Sequence, residues 1–384
     1  MRRPAYRAIV PLIALLGVAT VSACGSQQAA APTSAPAKAA NPAPAATSAP
    51  AAPAATAAPA AAAPASAATS APAAATTKYK PMTARIGHVG AAGSLMELDA
   101  QDFAQKIAER SGGAIKIQVF GSSQLGKQQE LDQQVQLGSL EMAIPSSDMV
   151  SIVGEFSIFD LPSIFKDRAQ VKKTVEGPLG KSLADLSAKK NMVMLGYWEN
   201  GFRVMTNNKQ PIRTPADLKG LKIRVPPNDV RVKMFKLWGA NAGPLAFSEL
   251  FSALQTGVFD GQENPYAQII SDKLYEVQKY LSVTNHVYTP TYLVASPKWF
   301  NSLDDATKQL LLSTAKEVGD DSRARGAKMD ADGASLVEGK GMKVNTDVDT
   351  KAFQDAAAPL LTDFQSKYGA TGKQLLDELK QSTQ

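Results

Sequence analysis

From residue 79 onward the chain switches repeatedly between two hydrophobic periods. Thr83 to Val89 reads as a short strand. Met96, Ala100, Phe103 and Ile107 then recur at helical spacing until Ser111-Gly112-Gly113 stops the run. Ile115, Ile117 and Val119 alternate with polar residues, as a strand does; Leu131 and Val135 mark a helix, and Met142 to Ile144 is strand-like. This βαβαβ order predicts a largely parallel sheet covered by helices. After Asn191 the alternation resumes with a strand at Met192 to Gly196, a helix opening at Thr214-Pro215 and a strand at Lys222 to Val225, followed by helices at Val230 to Trp238 and Ser248 to Gln255. A second α/β lobe follows, and a folded length of roughly 300 residues exceeds one typical core. Asp304 to Lys340 carries a helical pattern weakened only at Gly319, Gly326 and Gly333, long enough to lie across both lobes. No repeat at a fixed period is evident.

Ahead of this region the pattern changes character. Arg2, Arg3 and Arg7 precede an apolar run from Ile9 to Ala23 that is short for a membrane span, the layout of a secretory signal over 1–23. Val21-Ser22-Ala23-Cys24 resembles the lipobox of bacterial lipoproteins, so Cys24, the only cysteine, is expected to be acylated and to anchor the chain at the outer face of a membrane. The alternative is a signal peptide with an incidental cysteine. Residues 24–77 are almost wholly Ala, Pro, Ser and Thr with a single charge, Lys38, a composition unable to bury enough apolar surface to offset the entropy of ordering. They read as a disordered tether, with a glycosylated stalk as the competing reading.

With Cys24 committed to lipid, disulfides, thiolate nucleophiles and cysteine zinc sites are excluded from residues 78–384. The formal charge of +6 falls to +3 once Arg2, Arg3 and Arg7 leave with a signal that holds no acid, which argues against a nucleic-acid binder. There is no Gly-x-Ser-x-Gly and no His-Glu-x-x-His, and His88 and His286 are the only histidines. The acid pairs Asp304-Asp305 and Asp320-Asp321 fall on helical pattern and read as caps or solvated faces. An enzyme is disfavoured, and no cofactor or metal is expected.

Particular motifs add what periodicity does not. Gly121-Ser-Ser-Gln-Leu-Gly126, Leu137-Gly-Ser-Leu-Glu-Met142, Glu199-Asn-Gly-Phe-Arg203 and Asp217-Leu-Lys-Gly-Leu-Lys-Ile-Arg-Val-Pro226 stand in one order along the chain. Ala246-Phe-Ser-Glu249, Ala253-Leu-Gln-Thr-Gly257, Asp260-Gly-Gln-Glu-Asn-Pro265 and Tyr275-Glu-Val-Gln-Lys-Tyr280 follow. Together they resemble the substrate-binding proteins of tripartite ATP-independent periplasmic (TRAP) transporters. The resemblance implies an α/β two-lobed clamshell with a long helix spanning both lobes, lobe I at about 78–200 and 290–328 and lobe II at about 201–289 and 329–384. It further implies ligand capture between the lobes, delivery to an ion-gradient-driven permease, an extracytoplasmic location and a monomeric state. A surface adhesion protein would account for the anchor and tether but not for the arginine motifs.

By the same resemblance Arg224, in Leu-Lys-Ile-Arg, pairs with a substrate carboxylate, a role suited to two parallel N–H donors. Arg203, after an expected turn at Asn200-Gly201-Phe202, is a second ligand arginine; Asn264, in an expected Gln-Glu-Asn-Pro loop, both donates and accepts. Phe247 is expected as apolar wall, His286 near the ligand, and Trp198 with Tyr197 stacked on ligand or covering the hinge. Val89, Gln128 and Ser146 stand where the sialic-acid branch of the family has polar or acidic residues that hold the sugar acid, which disfavours sialic acid. A C4 dicarboxylate or 2-oxo acid suits two arginines and a nearby aromatic better and is expected, with a sugar acid as the alternative.

Overall fold

The computed structural model describes residues 78–383, so the leader, Cys24 and the tether lie outside the described residues. Eleven strands are described: β1 Met82–Gly87, β2 Ile115–Phe120, β3 Met142–Ala143, β4 Val193–Phe202, β5 Val204–Asn207, β6 Lys222–Val225, β7 Asn241–Pro244, β8 Gly261–Asn264, β9 Tyr280–Ser282, β10 Tyr288–Ala295 and β11 Lys343–Asn345. They form two sheets, ordered β2-β1-β3-β10-β4 and β11-β9-β5-β8-β6-β7, one to each lobe.

The first lobe is built as its periodicity requires. Ser94 caps the helix Leu95–Arg110 by accepting from the Glu97 N–H, and Met96, Ala100, Phe103 and Ile107 share its buried face. Gly112 and Gly113 then take φ of 62° and 80°, which turn the chain back into β2. The expected parallel pairing holds for β1 with β2 and β3. It fails for β10, antiparallel to β3 and β4, and for β5, antiparallel to β8 and β9. The reason is connectivity: each of these strands enters its sheet directly from the other lobe, without the covering helix that a parallel return needs. The β4–β5 crossing consists of Arg203 alone.

Asp304 caps the helix Asp305–Gly339 by accepting from the Thr307 N–H. The helix packs on β4 and Leu95–Arg110 in the first lobe and on Tyr266–Ser271 in the second. Gly319, Gly326 and Gly333 are contacts, not weak points. They recur every seven residues on one face, and an added Cβ would lie 2.6 Å from the Tyr197 carbonyl oxygen at Gly319 and 2.6 Å from Glu199 Cγ at Gly326. At Gly319 the obstacle is backbone and cannot swing away. Gly319→Ala is therefore expected to lower stability by about 1–3 kcal/mol, against the gain of about 1 kcal/mol that alanine brings to an exposed helix. Urea unfolding of the variant measures it, and an unchanged or raised midpoint refutes the close-packed seam.

The last helical segment, Pro359–Thr383, broken by a kink at Gly369 where φ is 53°, falls within the stretch expected in lobe II but packs on Gly154–Asp160, Arg168–Val175 and Pro178–Ala188 of the first lobe. Leu375, Leu376 and Leu379 are buried with Val171, Val175, Leu179 and Leu183, and this shared apolar face fixes where the helix lies.

Candidate functional site

Ligand clefts in α/β sheets form beyond the carboxyl ends of parallel strands. Here Val89 and Gly90 follow β1, Ser146 and Asp148 follow β3, Arg224 and Pro226 lie at the end of β6, and Asn264 ends β8. All of them line one cavity between the lobes, joined by Arg203, Phe247 and Gln268. The cavity measures about 40 Å³, room for a few waters.

Arg224 is almost wholly buried, and its Nε and Nη2 both donate to the Leu245 carbonyl oxygen at 2.9 and 2.6 Å. That carbonyl follows β7, which runs parallel to β6 with Gly243 opposite Arg224. One edge of the guanidinium is thereby fixed, and the Nη1–Nη2 end stays open for a carboxylate; no described residue bonds to Nη1. Its charge lies 6.0 Å over the Phe247 ring. Burial lowers its pKa to about 10, opposed by Asp148, so it remains charged at neutral pH. Among the described residues it forms no ion pair with an acid.

Arg203 is neutralised within the protein. Its Nε donates to Glu263 Oε2 and its Nη2 to Glu263 Oε1 and Asn264 Oδ1, each at 3.0 Å. Arg231 donates to the same Glu263 at 2.6 Å and also pairs with Asp160. Burial would raise the Glu263 carboxyl, but Arg203 and Arg231 outweigh it and hold the group well below the usual carboxylate range. Asn264 ends β8, not a loop. Its carbonyl is taken by Arg203 and its Nδ2 donates to Gln262, so it orients the arginine at the cavity wall.

The expected turn at Asn200-Gly201-Phe202 is instead the end of β4, and it carries a bulge. Thr289 pairs with Gly201 and Pro290 with Glu199, leaving Asn200 without a partner in the ladder. Gly201 takes φ of 124°, and Pro290 has no N–H to lose. Bulges re-aim side chains, and this one turns Asn200 into the cleft. The Ser146 hydroxyl donates to the Pro290 carbonyl oxygen at 3.0 Å, Asn200 Nδ2 donates to Ser146 Oγ at 3.0 Å, and Gln268 Nε2 donates to Asn200 Oδ1. Asp148 is half-buried, with no hydrogen bond or ion pair to another described residue. Burial raises its carboxyl to about 6, with Arg224 and Arg203 opposing. Asn200, Gln268 and Asp148 were not anticipated from sequence, and only the neighbouring motifs pointed to their segments.

Three expected residues lie outside the cavity. Tyr197 donates its hydroxyl to the Gly180 carbonyl oxygen at 2.6 Å and packs edge-on against Tyr292. Trp198 is buried against Phe103 and donates its indole N–H to the Ala315 carbonyl oxygen at 2.8 Å, because it sits on the face of β4 that meets the long helix. His286 is enclosed by Phe235 and Trp238, with Nε2 3.2 Å from Glu263 Oε2. Burial lowers its pKa, with Glu263 opposing. It braces the acid that holds Arg203. Lys127 meets Glu249 at 2.7 Å and Ser151 Oγ donates to the Pro227 carbonyl oxygen at 3.1 Å, so the two lobes are in direct contact. Among the described residues there is no metal-binding cluster of acids, histidines or cysteines, and no helix long and apolar enough to cross a membrane.

The profile of the bacterial extracellular solute-binding proteins, family 7, matches residues 86–367. The 2,3-diketo-L-gulonate-binding periplasmic protein YiaO of Escherichia coli is 34% identical over 79% of this chain and 92% of its own length. A TRAP periplasmic solute-binding protein of Polaromonas, solved with D-erythronate, superposes with a TM-score of 0.74 at 34% identity, covering 77% of this chain and 98% of that one. The sugar-acid-binding protein DctPAm of Advenella mimigardefordensis, solved with galactonate, gives 0.75 at 35% identity, covering 79% and 99%.

Proposed function

The chain belongs to family 7 of the bacterial extracellular solute-binding proteins, the TRAP solute-binding proteins, and on that premise we propose that it captures a small organic carboxylate on Arg224 between its lobes. It is a binding protein, not an enzyme, and the family places it outside the cytoplasm in partnership with a TRAP permease. The observation that carries the carboxylate reading is the buried, unpaired guanidinium of Arg224, held by Leu245 so that its free end meets the cavity. A buried charge left without a counter-charge is costly, and a ligand carboxylate supplies one. Both solved relatives hold carboxylates, which supports the same reading. A C4 dicarboxylate, a 2-oxo acid and a sugar acid share that first carboxylate and differ in what they present beyond it.

The same proposal has the protein act as a monomer, tethered through residues 24–77 to lipid on Cys24 and delivering its ligand to an ion-gradient-driven permease. Support for the anchor is the lipobox-like Val21-Ser22-Ala23-Cys24. A thermal-shift screen of carboxylic acids beside uncharged sugars tests the binding reading, because a ligand that prefers the native state raises the midpoint. At least one acid is expected to raise it in the parent and none in Arg224→Ala. A shift produced only by neutral solutes would sink the carboxylate reading.

A further inference from the structure

Resting on the carboxylate reading above, we propose that the ligand's remaining polar groups are hydroxyls and not a second carboxylate, and that Asp148, Gln268 and Gln128 read them. The argument is one of donors and acceptors. Arg224 is the one cleft arginine not already paired with an acid among the described residues, since Arg203 faces Glu263 and Arg231 faces both Glu263 and Asp160. Arg224 is therefore the one cleft cation whose hydrogen bonds are free for an acid, enough for one carboxylate, while Asp148 on the same surface repels a second. Of the other cavity-lining groups without a partner among the described residues, Gln268 Oε1 and the Asp148 carboxylate accept, and the Ser147 hydroxyl both donates and accepts.

Gln268 is 4% exposed, lines the cavity, and its Oε1 has no partner among the described residues. Its orientation is fixed by a relay that begins at an atom able only to accept. The Pro290 carbonyl takes the Ser146 hydroxyl proton, so Ser146 Oγ must accept from Asn200 Nδ2. Asn200 then presents Oδ1 to Gln268, which must present Nε2 in return. Turning the Gln268 amide over would set two acceptors against each other. Its carbonyl oxygen is thus left for a donor from the ligand.

Gln128, 6% exposed on the opposite wall, meets Asp132 with its Nε2 2.8 Å from Asp132 Oδ1 and its Oε1 buried without a partner among the described residues. Burial raises the Asp132 carboxyl well above its usual range, and once protonated it can donate, so Gln128 can offer the ligand either end of its amide. Asp148 adds a carboxylate on the same surface with no hydrogen bond of its own. A buried acceptor that gains no donor costs about as much as a lost hydrogen bond. Ligand hydroxyls, which both donate and accept, satisfy Gln268, Gln128 and Asp148, whereas a second carboxylate would face the Gln268 amide oxygen and a like charge at Asp148. The C–H face of a polyhydroxy chain suits Phe247 and Met96, which also line the cavity.

The test matches chain length and varies only the polar groups. Erythronate and threonate, four-carbon trihydroxy monocarboxylates, are titrated calorimetrically against succinate, a four-carbon dicarboxylate, at pH 8, where Asp148 is ionised. One of the hydroxy acids is expected to bind at least about ten-fold more tightly than succinate. Asp148→Asn, similar in shape, should weaken that acid about ten-fold and strengthen succinate, because a charge-assisted acceptor and a repulsive charge are removed together. Circular dichroism checks the variant's fold, and the comparison of acids on the parent protein needs no variant. Succinate binding as tightly as both hydroxy acids overturns this inference and leaves the carboxylate reading standing. Failure of all three acids, together with no response to any acid in the wider thermal screen, removes the reading beneath it.

Discussion

Arg224→Ala is expected to weaken ligand binding by about 2–5 kcal/mol, roughly thirty-fold to several-thousand-fold. The size follows from where the guanidinium sits. It is almost wholly buried, and the Leu245 carbonyl occupies its Nε–Nη2 edge, so a ligand carboxylate approaches end-on to Nη1 and Nη2 with no search over rotamers. Removing it leaves the ligand carboxylate desolvated and opposite Asp148, with Arg203 already committed to Glu263. Arg224→Lys should fall between parent and alanine. The ammonium keeps the charge, but it has neither the planar fork nor the second contact to Leu245 that aims it. Isothermal titration with the acid found by thermal screening measures both, alongside circular dichroism for the fold. A folded Arg224→Ala protein binding like the parent would contradict the assignment of this residue.

Glu263→Ala should act on stability, costing about 3–5 kcal/mol. Glu263 is fully buried between Arg203 and Arg231 and also meets His286; without it two buried guanidinium groups face each other with only Asp160 to balance them. The depressed pKa fixes the sign of the pH dependence. A carboxyl held below its ordinary range contributes stability that is fully present above that range and is lost as the pH falls toward its folded value. Denaturant unfolding from pH 7 down to pH 3 should therefore show the parent losing an increment that Glu263→Ala no longer has. Parallel curves, or a variant as stable as the parent at pH 7, would mean that this cluster does not carry the stability assigned to it.

Where local signals coincide with the fold, the sequence was legible. Lys222 to Val225 is β6 to the residue, the helix ending at Ser111-Gly112-Gly113 does end there, and Asp304 to Lys340 brackets the long helix with its two caps. Arg224, Arg203, Asn264 and Phe247 were expected together and do share one cavity. What escaped depends on partners far along the chain. The bulge at Asn200 exists only in the register of β4 against β10, about ninety residues later, and a turn was the natural local reading of Asn-Gly. Gly261–Asn264 is a fully buried strand written in one glycine, two amides and the acid Glu263. No hydrophobic period marks it, because Thr206 and Arg203 on neighbouring segments satisfy its polar side chains. Trp198 drew attention by standing beside a motif, yet strand alternation turned it to the opposite face.

The one-residue crossing between β4 and β5 bears on how the lobes move. When two rigid bodies turn about the strands that join them, atoms on the axis travel least and atoms far from it sweep the longest arc. Arg203 is that crossing, and its backbone N–H is held to the Val287 carbonyl at the return crossing. Arg224 is carried out on the second lobe, while Asp148 and Gln128 belong to the first. Arg203 therefore keeps its Glu263 partner beside it at the axis, whereas Arg231–Asp160 joins the two bodies, and Arg224 and Asp148 face each other from opposite lever arms.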